Sequence, residues 1–180
     1  SPLMAILHEA IGIEKALLNT IHAYTATQAL VDAPDKGGDF RRGRAAAWNI
    51  VPSSTGAAIA LTKVLPDLEK KFDGIAVRVP VITGSLIDVT FIAARPTTVE
   101  EVNKVLKDAA ASAHWKGIFD ATEEALVSSD IVGNPHASIA DLSMTRVVGG
   151  NLVKVLAWYD NEMGYAHTLV RHVVEAGSLI

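Results

Sequence analysis

Apolar residues recur along the chain with two different periods, and the change of period marks out the elements. Leu3, Ile6, Leu7 and Ala10 fall at helical spacing behind Ser1, a capping residue, and Pro2, a first-turn proline, and Gly12 closes the segment. From Ile13 to Tyr24 the pattern suits a strand. It puts Leu18, Thr20, His22 and Tyr24 on one face and Leu17, Asn19, Ile21 and Ala23 on the other. Strands are predicted over 74–81, with Ile75, Val77 and Val79 as the apolar face and Arg78 turned away from it, and over 86–94, rich in β-branched residues. Helices are predicted over 57–65, then to Ala111 behind a capping box of Thr97 or Thr98 with Glu101, and over 162–176. Strands over 138–141, 145–148 and 152–159 complete an α+β pattern.

The chain has 180 residues, 49% of them hydrophobic and 6% aromatic, which reads as one domain over 1–180. By size scaling it would expose roughly 8,000 to 9,000 Å² folded against about 28,000 Å² unfolded, enough burial for a full core without metals or staples. A charged fraction of 20% and a net charge of −4 argue against disorder and against nucleic-acid binding by bulk positive charge. No window of eighteen apolar residues occurs, so no membrane span is expected. There is no cysteine, hence no disulfide, thiolate metal site or thiol nucleophile within these residues. The opening Ser1-Pro2-Leu3 has no initiator Met or signal-peptide pattern and reads as cut from something longer.

Four features carry candidate chemistry, each with a plain structural alternative. His22 stands beside Thr20 and Thr25, either as a base or as a hydrogen-bonded structural residue. Ser53-Ser54-Thr55-Gly56 precedes a helix, where free N–H groups and the helix dipole favour a phosphate, though an ordinary N-cap explains it equally. The turn-rich segment 32–44 holds Lys36, Arg41, Arg42 and Arg44; its arginines suit a phosphate clamp or a solvated loop. Asp160-Asn161-Glu162 reads as a turn and N-cap, or as an amide that recognises a planar carboxamide. His8, His114, His136, His167 and His172 have no metal-like spacing, and no metal site is expected. Trp48, His136 and Thr83-Gly84-Ser85 suggest no function.

Taken in order, Thr20-Ile21-His22-Ala23-Tyr24-Thr25-Ala26-Thr27-Gln28, Arg41-Arg42-Gly43-Arg44-Ala45-Ala46-Ala47, Pro52-Ser53-Ser54-Thr55-Gly56-Ala57-Ala58, Arg78-Val79-Pro80 and Trp158-Tyr159-Asp160-Asn161-Glu162-Met163-Gly164-Tyr165 resemble the catalytic domain of glyceraldehyde-3-phosphate dehydrogenase over essentially the whole chain. The resemblance implies a mixed, mainly antiparallel sheet with helices covering one face; we expect the site residues to project from the other. It implies oxidation of an aldehyde by NAD, with capture by inorganic phosphate as an acyl phosphate through a cysteine hemithioacetal and thioester. His22 matches the family's base. Thr25 and Arg78 match residues that bind the substrate's phosphate, with Thr27 assisting, and Arg42, Thr55 and Gly56 match the site for inorganic phosphate. Asn161 matches the residue that orients the nicotinamide carboxamide, with Tyr165 nearby. Residues 25–47 correspond to a loop that lines a neighbouring subunit's cofactor groove, where Pro34 is associated with NAD. A homo-oligomer and a cytoplasmic location follow, with no membrane or nucleic-acid partner.

The departures are as informative as the matches. The family's nucleophile sits in a Ser-Cys-Thr-Thr-Asn motif at the start of a helix, and Ser1 aligns a few residues beyond that cysteine. The Rossmann domain of the family has no counterpart among these residues. These 180 residues are therefore expected to be inactive alone. A phosphate-binding or oligomerisation module without catalysis, and a dehydrogenase for erythrose 4-phosphate, are the alternatives.

Overall fold

Strand β1 (Ile13–Ala23) lies inside a seven-stranded sheet with β2 (Val51–Ser54), β3 (Phe72–Val79), β4 (Ser85–Ala93), β5 (Phe119–Thr122), β6 (Ser138–Val148) and β7 (Leu152–Tyr159). The spatial order is β2-β3-β1-β4-β7-β6-β5. The β1/β3 and β5/β6 pairs are parallel and the other four antiparallel, so the sheet is mixed and mainly antiparallel. The helices are α1 (Pro2–Ala10), α2 (Ala57–Val64), α3 (Val99–Ala111) and α4 (Met163–Gly177). This computed structural model describes residues 1–34 and 37–179; Lys36, one of the loop cations, lies outside them.

Local chemistry accounts for the element ends. Gly12 takes φ +79 after α1, and a Cβ there would lie 2.8 Å from the Ala94 Cβ. Both threonines serve at the start of α3: Thr98 Oγ1 accepts from the Glu101 N–H, and Thr97 Oγ1 donates to the Glu101 carboxylate at 2.8 Å. Helices α1, α2 and α3 pack on one sheet face, where Leu7, Leu61, Val102 and Leu106 meet Leu18, Val89, Phe91, Val153 and Val155.

Four expectations need correction. Strand β1 ends at Ala23, one residue before Tyr24. Strands β2 and β5 were not foreseen; both are four-residue edge strands, and β2 tolerates Pro52 because an edge needs no second ladder. Segments 138–141 and 145–148 belong to one strand, β6, whose register shifts between Asp141 and Arg146. Arg78 shares the covered face with buried Phe72 and Ala76, whereas Ile75 is 54% exposed. Small residues occupy that covered face because the backbones approach closely there: a Cβ on Gly74 would lie 2.6 Å from the Leu18 carbonyl oxygen.

The chain exposes 10272 Å², above the range expected for its size. Two of its surfaces are apolar. The sheet face opposite the helices shows Leu17, Ile75 and Val148, and α4 shows Leu169, Val170, Val173 and Val174.

Candidate functional site

Parallel pairing of β1 with β3 sets His22 and Arg78 side by side at the ends of their strands, on the face that the helices cover. The expected placement of site residues on the opposite face is thus corrected: His22 continues the parity of buried Ala16, Leu18 and Thr20. His22 Nδ1 has two close partners, the Ala23 carbonyl oxygen at 2.6 Å and Arg78 Nη1 at 2.5 Å, and Arg78 Nη1 also donates to that carbonyl at 3.2 Å. A carbonyl only accepts and a guanidinium only donates, so the two contacts are alternatives at Nδ1: with the proton there the ring bonds the Ala23 carbonyl, Arg78 donates to that carbonyl instead, and the lone pair is on Nε2. Burial lowers the His22 pKa from its ordinary 6.5; the Ala23 hydrogen bond opposes this and the Arg78 charge adds to it. The ring is held neutral near pH 7, the form a general base requires.

Behind the ring stands Tyr159, edge-on to His22 with ring centroids 5.9 Å apart and its hydroxyl 2.9 Å from Thr20 Oγ1. Burial raises the Tyr159 pKa, so the phenol stays protonated. Across the β4/β7 ladder Tyr159 faces Ser85. Ser85 Oγ accepts from the Ala23 N–H at 3.2 Å and donates to Asn161 Oδ1 at 3.1 Å; the Gly84 N–H donates to the same oxygen at 3.2 Å. Two donors at one end of the amide settle which end is oxygen. Among the described residues Asn161 Nδ2 has no partner, so its two N–H donors remain for a ligand.

The turn-and-cap reading holds for Asp160. Asp160, 4% exposed, caps α4 by accepting from the N–H groups of Glu162 and Met163, and ties in the Gly133 N–H and Thr83 Oγ1. Asn161 keeps its Nδ2 without a partner among the described residues.

The anion-binding candidates form two groups. Thr25 and Thr27, in the turn after β1, share a hydrogen bond of 3.0 Å. Arg42 Nη2 donates to Ser53 Oγ on β2 at 3.3 Å and pairs with Asp39 at 3.4 Å. Thr55 and Gly56 sit between β2 and α2, with Thr55 Oγ1 accepting from the Ala57 N–H at 3.1 Å. Burial first, then repulsion from Arg42, lowers the Arg78 pKa, while Tyr159 opposes the shift. Two guanidinium groups near enough to repel each other define a place where an anion is favoured.

Of the loop arginines Arg42 hydrogen-bonds to the sheet; Arg44 pairs with Asp32, and Arg41 is exposed, both lining a cleft beside Val51 and Pro52. The loop folds back on itself through Ala29 N–H to Arg42 O, Ala33 N–H to Gly43 O and Ala46 N–H to Ala29 O. Pro34 is exposed on it and lines none of the site.

A cavity of about 630 Å³ joins these parts, with His22, Tyr159, Asn161 and Tyr165 on its wall beside Ser1 and Pro2 at the N-terminal end of α1. Thr25, Thr27, Arg78, Arg42, Thr55 and Gly56 lie outside that lining. The sequence reading took Ser53 and Tyr159 only as members of their motifs, with no role of their own, and drew no function from Thr83-Gly84-Ser85, the segment that holds Asp160 and Asn161 in place. Only strand register brings Ser85 opposite Tyr159. No group of three metal-binding side chains occurs among the described residues, nor any helix long and apolar enough to cross a membrane.

Fold and site together define an α+β domain that sets a neutral imidazole and an unpartnered amide on one cavity wall, with a guanidinium group against the imidazole. The chain belongs to the family described as glyceraldehyde 3-phosphate dehydrogenase, C-terminal domain, whose profile matches residues 1–161. It is 51% identical over 168 residues to glyceraldehyde-3-phosphate dehydrogenase 1 of Streptomyces avermitilis, covering 93% of this chain and 49% of that protein. Identity to glyceraldehyde-3-phosphate dehydrogenase of Streptomyces coelicolor is 49% over 178 residues, or 99% of this chain and 52% of that protein. For the Borreliella burgdorferi enzyme of that name it is 48% over 171 residues, 94% of this chain and 50% of the relative. The chain spans about half the length of the curated relatives it matches.

Proposed function

We propose that these residues form the catalytic half of a phosphorylating dehydrogenase that oxidises glyceraldehyde 3-phosphate, in the cytoplasm, to an acyl phosphate. The observation that carries the reading is the meeting of His22, Asn161 and Tyr165 in one cavity with the N-terminal end of α1, while Arg78 touches His22. In this reading the cysteine nucleophile and the dinucleotide-binding domain come from outside these 180 residues. A nucleophile just ahead of α1 is close to the cavity that His22 lines, and the helix dipole favours its thiolate.

His22 Nε2 takes the hydroxyl proton of the hemithioacetal formed on that cysteine and stabilises the developing negative oxygen. Arg78 with Thr25 and Thr27 binds the phosphate the substrate carries, and Arg42 with Thr55 and Gly56 binds the attacking inorganic phosphate. The nicotinamide of NAD supplies the hydride acceptor when bound. The unpartnered Asn161 Nδ2 fits its carboxamide oxygen, and Tyr165 completes that wall. Pro34 belongs to a loop that reaches a neighbouring subunit in a homo-oligomer, an assembly consistent with exposed Leu17, Ile75, Phe40 and Trp48.

The test is phosphate-dependent reduction of NAD with glyceraldehyde 3-phosphate by the full-length polypeptide that carries these residues. Turnover is expected there and none from the 180-residue chain. Turnover of erythrose 4-phosphate in preference would replace the substrate, and an inactive full-length polypeptide would leave a binding module.

A further inference from the structure

We propose that the Ser85 hydroxyl is a positioning group that ties the cofactor-facing amide of Asn161 to the stretch of β1 backbone holding His22 and Arg78. What the two ends do rests on the dehydrogenase reading; the tie itself rests on the geometry. Ser85 is 2% exposed, and its hydroxyl has one proton to give. Asn161 Oδ1 only accepts, so the proton goes there, and the hydroxyl oxygen is left to accept from the Ala23 N–H and from the Tyr159 hydroxyl, its third partner. The carbonyl of the same Ala23 receives His22 Nδ1 and Arg78 Nη1. Two contacts therefore lead from the amide to the residue whose carbonyl selects the His22 tautomer. They join β1, β4 and the start of α4, segments 62 and 76 residues apart in the chain. Because the middle link has a single proton and a fixed direction, turning the amide disturbs the acceptor side of the same hydroxyl.

A residue that merely fills space or satisfies a buried N–H would affect stability and leave His22 and Asn161 independent of each other. Nitrogen-15 NMR of the 180-residue chain separates the cases by reading the tautomer and titration midpoint of His22 directly. The charged or titratable groups around the ring are Arg78, Tyr159 and, through Arg78, Arg42, none of which changes charge between pH 5 and 8, and, on the same cavity wall, the Ser1 amine, which burial lowers to about 6. The titrations therefore use the chain with that amine acetylated. Asn161→Ala is expected to move the His22 midpoint by about 0.3 pH unit or more although the two side chains do not touch, and Ser85→Ala to move it comparably. The double variant should add nothing further, and Ser85→Thr, which keeps a hydroxyl, should restore the wild-type midpoint and tautomer. If Ser85→Ala does not fold, Asn161→Ala and Ser85→Thr still decide. An unmoved His22 in Asn161→Ala overturns the proposal, as does an Asn161→Ala shift of equal size with and without Ser85. Neither result bears on NAD reduction by the full-length polypeptide, so this inference and the dehydrogenase reading fail separately.

Discussion

Arg78 Nη1 lies 2.5 Å from His22 Nδ1 because β1 and β3 run parallel in a register that pairs the two residues. The cation disfavours a second proton on the ring. Arg78→Gln is therefore expected to raise the His22 midpoint, and Arg78→Lys to leave it nearer the wild type. An NMR titration in which Arg78→Gln leaves the midpoint unmoved, or lowers it, contradicts the assigned contact.

The same depression has a consequence for stability. His22 is lowered from 6.5 mainly by burial, so between the folded and unfolded midpoints the unfolded chain binds more protons. The contribution of the neutral ring is present above pH 6.5 and is lost as pH falls through the folded midpoint. Urea unfolding should therefore show the wild type losing more stability than His22→Gln between pH 7.5 and pH 5. Parallel losses would mean that His22 is not held neutral in the fold.

Asp160 works in the acid range. Burial pushes its pKa up, but the N–H groups of Gly133, Met163 and Glu162, with Thr83, outweigh burial and hold it below 3.8. The stability it contributes is present above pH 3.8 and disappears as pH falls through the folded midpoint. Asp160→Ala should cost roughly 2–4 kcal/mol at pH 7, from a lost cap and orphaned buried donors. The gap from wild type should close on acidification, and a gap that persists at pH 2 argues against the carboxylate as its source.

Gly164 and Gly177 give opposite outcomes on one helix. A Cβ on Gly164 would stand 2.8 Å from the His136 carbonyl oxygen, whereas Gly177 has nothing within 4 Å. Gly164→Ala is expected to cost about 1–3 kcal/mol by overpacking and to displace α4 from the cavity. Gly177→Ala should stabilise by up to about 1 kcal/mol through helix propensity. Thermal melts of both variants check the pair, and equal shifts would contradict the packing described for Gly164.

Lys70 is the only described residue other than glycine with a positive φ, at 62°. A side chain in the left-handed region costs roughly 1–2 kcal/mol, so Lys70→Gly should raise stability by about 1 kcal/mol after glycine's entropy loss. Lys70→Ala keeps the Cβ and should bring no such gain. Equal gains from the two, measured by urea unfolding, would remove backbone strain as the cause.

Much of the fold was legible because it depends on neighbours in sequence. Thr97, Thr98 and Glu101 lie within five residues and announce α3; Pro2 and Gly12 bound α1 in the same way. The missed elements are those whose existence depends on a distant partner. Strand β5 pairs with β6 and β2 with β3, and neither four-residue segment carries a period of its own. The face of β3 was misread because alternation labels two sides without saying which one the helices cover. The covered face carries Gly74, where the backbones approach closely, and Ala76 beside Phe72 and Arg78, so the β-branched Ile75, Val77 and Val79 fall on the other face.

The candidate site divides along the same line. Residue types and their order are properties of the chain, and those were enough to pick out His22, Arg78, Arg42 and Asn161 and to indicate the family. The protonation state of His22, the unpartnered end of the Asn161 amide and the meeting of their hydrogen bonds at Ser85 and Ala23 are not properties of any segment. They arise where β1, β3, β4 and β7 lie in register, because burial, hydrogen-bond direction and charge proximity act through space. Ser85 stands in a stretch with no chemical signature of its own, and its partners come from three other parts of the chain.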